Sequence, residues 1–166
     1  MSSDAIVLLK ADHKEVKSVF KQFQQAGEDA TEKKGDLVKK MIELLTVHTY
    51  LENELIYPEV RRQLPDLEDD VLESYEEHHV ADVLCLELST MSADHERFDA
   101  KTTVLIENVL HHIEEEEQEW FPEVRKGMSR KQLAELGERM EEMRKTAPRS
   151  PAQPKAMKKA LDAVVK

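Results

Sequence analysis

His48–Val60 reads HTYLENELIYPEV, and His111–Val124 reads HHIEEEEQEWFPEV. Aligned on Pro58 and Pro122, the two stretches match in register: His48 with His112, Glu52 with Glu116, Tyr57 with Phe121, then Pro-Glu-Val with Pro-Glu-Val. Each copy contains His-x-x-x-Glu. Residues four apart on an α-helix lie one above the other on the same face. Each copy therefore aims an imidazole and a carboxylate at one point, and two copies supply two such pairs.

The repeat extends upstream. Asp12-His13 precedes the first copy and Glu77-His78 the second, with His13 to His48 spanning 35 residues and His78 to His112 spanning 34. Apolar residues recur every three or four positions around these marks, which is the period of a helix with one buried stripe. The first segment, about Asp4 to Ala26, carries Ile6, Leu9, His13, Val16, Phe20 and Phe23 on that stripe. The second, about Thr31 to Arg62, carries Leu37, Met41, Leu44, Leu45, His48, Glu52 and Leu55. After the turn at Pro65-Asp66, where Asp66 is placed to cap the next helix, a third segment runs to about Met91 through Val71, Tyr75, His78, Ala81, Leu84, Cys85 and Leu88. Ser92 to Arg97 is a polar connection. The fourth segment reaches about Lys126 through Leu105, Val109, His112, Glu116 and Trp120. Ser129-x-x-Gln132 is a capping box that opens a fifth helix with Leu133, Leu136, Met140 and Met143 inward.

Short loops make successive helices antiparallel neighbours. The expected fold is all-α: an up-down-up-down four-helix bundle built from two repeated helical hairpins, with a fifth C-terminal helix. Residues 1–146 make up this unit. Residues 147–166 are read as a proline-containing linker and a short basic tail, extended or loosely docked. Pro58 and Pro122 each remove a backbone hydrogen bond, to Glu54 and Gln118, and are expected to bend or end their helices, with Tyr57 and Phe121 closing the end of the cavity.

Composition narrows the function classes. The chain has 166 residues, enough for one packed core. A formal net charge of −11 argues against general binding to nucleic acid or anionic membranes. The single cysteine, Cys85, makes no intramolecular disulfide and fits a reducing compartment. The first residues, MSSDAIVLLKADHKEV, lack a basic region followed by a long apolar run, so no signal peptide is expected, and no apolar stretch approaches membrane length. The expectation is a soluble cytoplasmic protein.

Four inward histidines and two inward glutamates are costly to bury unpaired. Two glutamates can pair with two protonated histidines, which leaves two histidines over. A metal uses all six lone-pair donors at once. Six protein ligands exceed what one tetrahedral zinc takes. They suit two ions bridged by both carboxylates, each ion also holding two imidazoles, and the mixed N/O set favours iron, with manganese second.

At these residues the chain resembles the hemerythrin-like (HHE cation-binding) proteins, through the order H…HxxxE…H…HxxxE and the closing LIYPEV and EWFPEV. The resemblance covers about residues 4–126. It implies metal ligands His13, His48, Glu52, His78, His112 and Glu116 around two non-haem iron ions, oxo- or hydroxo-bridged. His79 is the alternative to His78, and Tyr75, one turn before His78, is a possible extra ligand. Oxygen-carrying hemerythrins place an HxxxH pair on the third helix, whereas here His78 is followed by Asp82 at four residues. That departure turns the resemblance away from simple O2 carriage and toward the four-histidine subgroup, associated with sensing of iron or O2, NO-related functions and peroxide breakdown. Decomposition of hydrogen peroxide is the leading function. The alternative is a module that binds or senses O2, NO or iron without turnover, with an unidentified protein partner for the tail. Glu114–Glu117 is read as a solvated face, His111 as outside the site, and Cys85 as core.

Overall fold

The computed structural model describes residues 3–165, with side chains through residue 162. Six helices are found among the described residues, and no strand. Helix α1 is Ala5–Gln25. Helix α2 is continuous through Thr31–Leu51, a π-helical turn at Glu52–Ile56, and Tyr57–Gln63. A 3₁₀ turn at Pro65–Leu67 leads into α3, Glu68–Ser89. Helix α4 repeats the pattern of α2: Phe98–Glu115, a π-helical turn at Glu116–Trp120, and Phe121–Gly127. Helices α5, Arg130–Arg144, and α6, Pro154–Val165, complete the order. Helices α1 and α2 form one hairpin and α3 and α4 the other, and together they make the four-helix bundle. None of these helices is long and apolar enough to cross a membrane.

Local signals account for the helix ends. Asp4 caps α1, its carboxylate accepting from the Val7 N–H at 2.9 Å, and Ser129 with Gln132 forms a complete capping box on α5. Asp66 does not cap α3. It lies inside the 3₁₀ turn, and the residue at the cap is Leu67, with no side-chain bond.

The core is two apolar clusters separated by one polar layer. Ile6, Leu9, Leu51, Val71, Trp120 and Phe121 belong to one cluster, and Val16, Phe20, Met41, Ala81, Leu105 and Val109 to the other. Along every helix of the bundle the two clusters flank the level of the inward histidines. On α2 the buried stripe is rotated from the expected one: Val38 and Ile42 are buried, and Leu37 and Leu44 sit at the edge. Cys85 lies in the second cluster, and burial pushes its thiol up to about 12, so it stays protonated and unreactive at neutral pH.

The prolines do not end their helices. Each comes just after a π-helical turn in which the N–H of Tyr57 or Phe121 reaches the carbonyl five residues back, at Glu52 or Glu116. The extra residue lets the chain pass the proline without breaking, and it re-aims the last turns of α2 and α4.

Helix α5 packs against α1 and α2. Gly137 permits the closest approach: a Cβ there would stand 2.2 Å from the carbonyl oxygen of Ser3. The chain beyond residue 147, read from sequence as linker and tail, turns back and lays α6 across α2 and α3. Ala156 and Lys159 on α6 are buried there.

Candidate metal centre

His13, His48, Glu52, His78, His112 and Glu116 meet in the polar layer, each no more than 7% exposed. They form two overlapping groups of four. One is His13, His48, Glu52 and Glu116, and the other is Glu52, His78, His112 and Glu116; within each, the ligand-type atoms all lie within 4.8 Å of one another. Both glutamates are common to both groups. The imidazoles come in matching pairs, His13 with His48 at 4.9 Å between ring centroids and His78 with His112 at 4.6 Å.

Each imidazole is oriented by one outer acceptor at Nδ1. The bonds run from His13 to Glu117 Oε1 at 2.8 Å, from His48 to Asp12 Oδ2 at 3.1 Å, from His78 to Asn53 Oδ1 at 2.6 Å, and from His112 to Glu77 Oε1 at 3.1 Å. The pattern obeys the repeat. Asp12 and Glu77 stand just before the leading histidines and serve the histidine of the returning helix. Asn53 and Glu117 stand just after the shared glutamates and serve the leading histidine of the other hairpin. With the Nδ1 proton committed outward, every Nε2 lone pair faces inward, the tautomer a metal-binding imidazole needs.

Those inward atoms fit a cation. His13 Nε2 faces Glu116 Oε2 at 3.1 Å and His48 Nε2 faces Glu52 Oε2 at 3.3 Å, Glu52 Oε1 is buried with no partner, and all four residues belong to the first group. In the second group, His78 Nε2 and His112 Nε2 face each other at 3.0 Å. Two lone pairs at that distance need a proton or a metal between them. The charges of the metal-free cluster say the same. Burial raises the Glu52 carboxyl, but the His48 charge and contacts from His112 and His78 outweigh it and hold the group well below the ordinary carboxylate range. Burial lowers His112, but the charge of Glu116 and its hydrogen bond lift it well above the usual histidine range. His48 is raised in the same way, burial being overcome by Glu52 and Asp12, while burial lowers His78. Without a metal, the two carboxylates draw protons onto imidazoles.

A hydroxyl also reaches the centre, and it belongs to Tyr57. Its oxygen is 2.7 Å from Glu116 Oε1, 3.1 Å from Glu52 Oε2, 3.0 Å from His78 Nε2 and 3.3 Å from His112 Nε2. The π-helical turn is the cause. In such a turn residues five apart stack as residues four apart do in an α-helix, so Tyr57 comes onto the face of Glu52. Tyr75, the tyrosine singled out from sequence, packs edge-on to the Tyr57 ring at 5.1 Å and is only half-buried. The repeat is broken at this position: its counterpart, Phe121, stacks on His13 at 5.8 Å. One half of the centre thus meets a phenol and the other a phenyl wall.

His79, His111 and His95 stay outside the six, and Glu117, read as solvated, is the partner of His13. Sequence reasoning missed the contribution of α5. Arg144 reaches Asp12 Oδ2 at 2.9 Å and holds the carboxylate that orients His48. Burial raises the Asp12 carboxyl, but His48 and Arg144 together bring it below its ordinary value. Asp12→Ala is expected to weaken metal retention about 10- to 100-fold, the range for removing an outer partner of a ligating histidine. Competition with a chromophoric chelator measures this, and Asp12→Asn, which keeps an acceptor oxygen, should recover most of the loss.

Comparison with known proteins agrees with this fold. A hemerythrin HHE cation-binding domain-containing protein from Mycobacterium kansasii has the same fold, with a TM-score of 0.70 and 20% identity over 97% of this chain and 99% of that one. A curated protein of Nostoc sp., described as a DNA nickase, is 26% identical over 125 residues; the match takes in 75% of this chain but only 34% of that protein. The profile of the hemerythrin HHE cation binding domain matches residues 4–124, the stretch that contains all six inward histidines and glutamates, and the chain belongs to that family.

Proposed function

We propose that the chain holds two iron ions and uses them to decompose hydrogen peroxide, two molecules of peroxide giving one of O2 and two of water. The observation that carries this reading is the sharing of Glu52 and Glu116 between two groups that each add two imidazoles. His13 and His48 would hold one ion, His78 and His112 the other, and the two glutamates both. Charge supports the number. Glu52, Glu116, Asp12, Glu77 and Glu117 face Arg144 alone within these contacts, which leaves four negative charges, those of two divalent cations. The nitrogen and oxygen donors suit iron, with manganese second. A pair of such ions supplies the two-electron redox cycling that peroxide disproportionation needs.

The rest falls to the chain itself. The four outer acceptors hold the imidazoles in place. The free space beside them is about 10 Å³, lined by the four histidines and by Val16, Leu45, Ala81, Val109 and Ile113, among others. That is room for a molecule of about the size of water. It favours peroxide, O2 or NO as ligands over any organic substrate. Tyr57 holds a proton on its hydroxyl: burial, and then the negative Glu116 and Glu52, push it well above the ordinary phenol value. It would donate that proton toward the departing oxygen of peroxide and regain it in the second half of the cycle.

The test is oxygen evolution on adding peroxide to iron-loaded protein. We expect sustained release over many turnovers, and Tyr57→Phe slowed by about 10²-fold, the low end for loss of a positioned proton donor, with iron content unchanged. If peroxide is consumed only stoichiometrically while reduced protein binds O2 or NO reversibly, the catalytic reading fails and the sensing reading replaces it.

A further inference from the structure

A cleft of about 690 Å³ opens between the second half of α2, the first half of α3 and α6. Three residues that line it, Asn53, Tyr75 and Lys159, each stand one contact away from the centre or from the small cavity beside it. Asn53 accepts the Nδ1 proton of His78 at 2.6 Å. Tyr75 packs on the ring of Tyr57, whose hydroxyl lies among the ligand-type atoms. Lys159 is 2% exposed, and its ammonium donates to Thr49 Oγ1 at 2.6 Å and to Asp82 Oδ1 at 2.8 Å. Thr49 in turn lines the small cavity beside the four histidines. Two side chains in series thus lie between the open cleft and that cavity, Asn53 and His78 on one path and Lys159 and Thr49 on the other.

We propose that this cleft is the port through which neutral, water-sized molecules reach the centre, with Asn53, Tyr75 and Lys159 as its floor and α6 as one wall. The proposal rests on the reading that the centre holds iron. The burial of Lys159 supports it. Placing an ammonium among apolar helices is costly unless it is paired, and this one is paired to residues of both α2 and α3. It closes the gap between those helices with a polar contact, which a small hydrogen-bonding molecule can exchange against more readily than against packed aliphatic side chains. The charge of the cleft selects among ligands. Asp162 is paired with Lys158 and Lys159 with Asp82, which leaves Glu54, Glu73 and Glu76 against Arg61, so the walls carry a negative excess. Such walls disfavour anions and leave uncharged peroxide or nitric oxide unaffected.

Stopped-flow binding of nitric oxide to the ferrous-loaded protein tests the port by an optical change that needs no turnover. Leu72 is 43% exposed and lines the cleft; Val104, on α4, is 51% exposed and does not. Leu72→Trp is expected to slow association on the order of tenfold by narrowing the way in, while Val104→Trp matches the wild type. If Leu72→Trp does not accumulate as folded protein, Glu73→Trp on the same rim replaces it. Glu76→Lys should speed binding of azide to the oxidised protein severalfold and leave nitric oxide unchanged. Wild-type nitric oxide kinetics in the cleft tryptophan variant, or equal slowing in both tryptophan variants, overturns the port. So does a charge reversal without effect on azide. Metal analysis of the wild type separates this from failure of the underlying reading: a protein that takes up no iron overturns the proposed function and the port with it.

Discussion

We expect Glu52→Ala to lose both of the ions proposed for the centre, whereas His48→Ala should give up only one. The asymmetry comes from the composition of the two groups. Glu52 and Glu116 are common to both, while His48 belongs to the group with His13 alone. Removing Glu52 takes a donor from each position and also leaves the remaining carboxylate, Glu116, facing both. Loss of an outer partner alone costs about 10- to 100-fold in affinity, so loss of a shared ligand should lower the affinity at both positions by more than that and leave little metal after desalting. Glu116→Ala should behave like Glu52→Ala. His48→Ala should keep the ion held by His78 and His112, about half of the wild-type content. Elemental analysis after iron loading and desalting distinguishes the two classes. Equal losses for the glutamate and histidine variants would show that the positions are not joined through the carboxylates.

Stripping the metal should lower the melting temperature by roughly 10 °C. A ligand that binds only the folded chain stabilises it by about 4 kcal/mol at a thousand times its Kd, and a domain of this size shifts about 2–4 °C per kcal/mol. The metal-free protein keeps part of its stability by taking protons onto His48 and His112. Burial opposes those protons, and the charges of Glu52 and Glu116 win, so both histidines are raised. A raised histidine stabilises the fold fully below its unfolded value and loses that contribution as pH rises through the folded value. The gap in melting temperature between loaded and stripped protein should therefore widen from mildly acidic to alkaline pH. Differential scanning calorimetry across that range measures it, and a gap that is constant or narrows with rising pH contradicts the compensation.

The duplicated His-x-x-x-Glu makes the bundle and its polar layer readable in advance, because helical period places those residues inward regardless of tertiary detail. The acid-His steps at Asp12-His13 and Glu77-His78 are visible as part of the repeat, but their role is not. Asp12 and Glu77 act on histidines of neighbouring helices, a relation that only packing reveals. Tyr57 is hidden for a different reason. An α-helical count turns position Glu52 + 5 away from the carboxylate, and the π-helical turn brings it back. The signal is present in both copies as an aromatic residue ahead of a proline, a pattern that suggests a bend rather than an extra residue in the turn. The docking of α6 has no signature beyond the amphipathic pattern of a short segment after a proline-containing stretch, since a lysine in a basic tail gives no sign that it will be buried. The slip from Leu37 to Val38 on α2 shows the limit of periodicity where adjacent apolar residues compete for one stripe.

The proposed chemistry needs a pair of ions in this centre. The most direct measurement is iron content per chain after anaerobic loading and desalting, together with the EPR spectrum of the oxidised protein. We expect two irons per chain and no signal of isolated ferric ions, because ions sharing two carboxylates couple magnetically. One iron per chain with an isolated ferric signal, a single tightly held zinc, or no metal at all would contradict it.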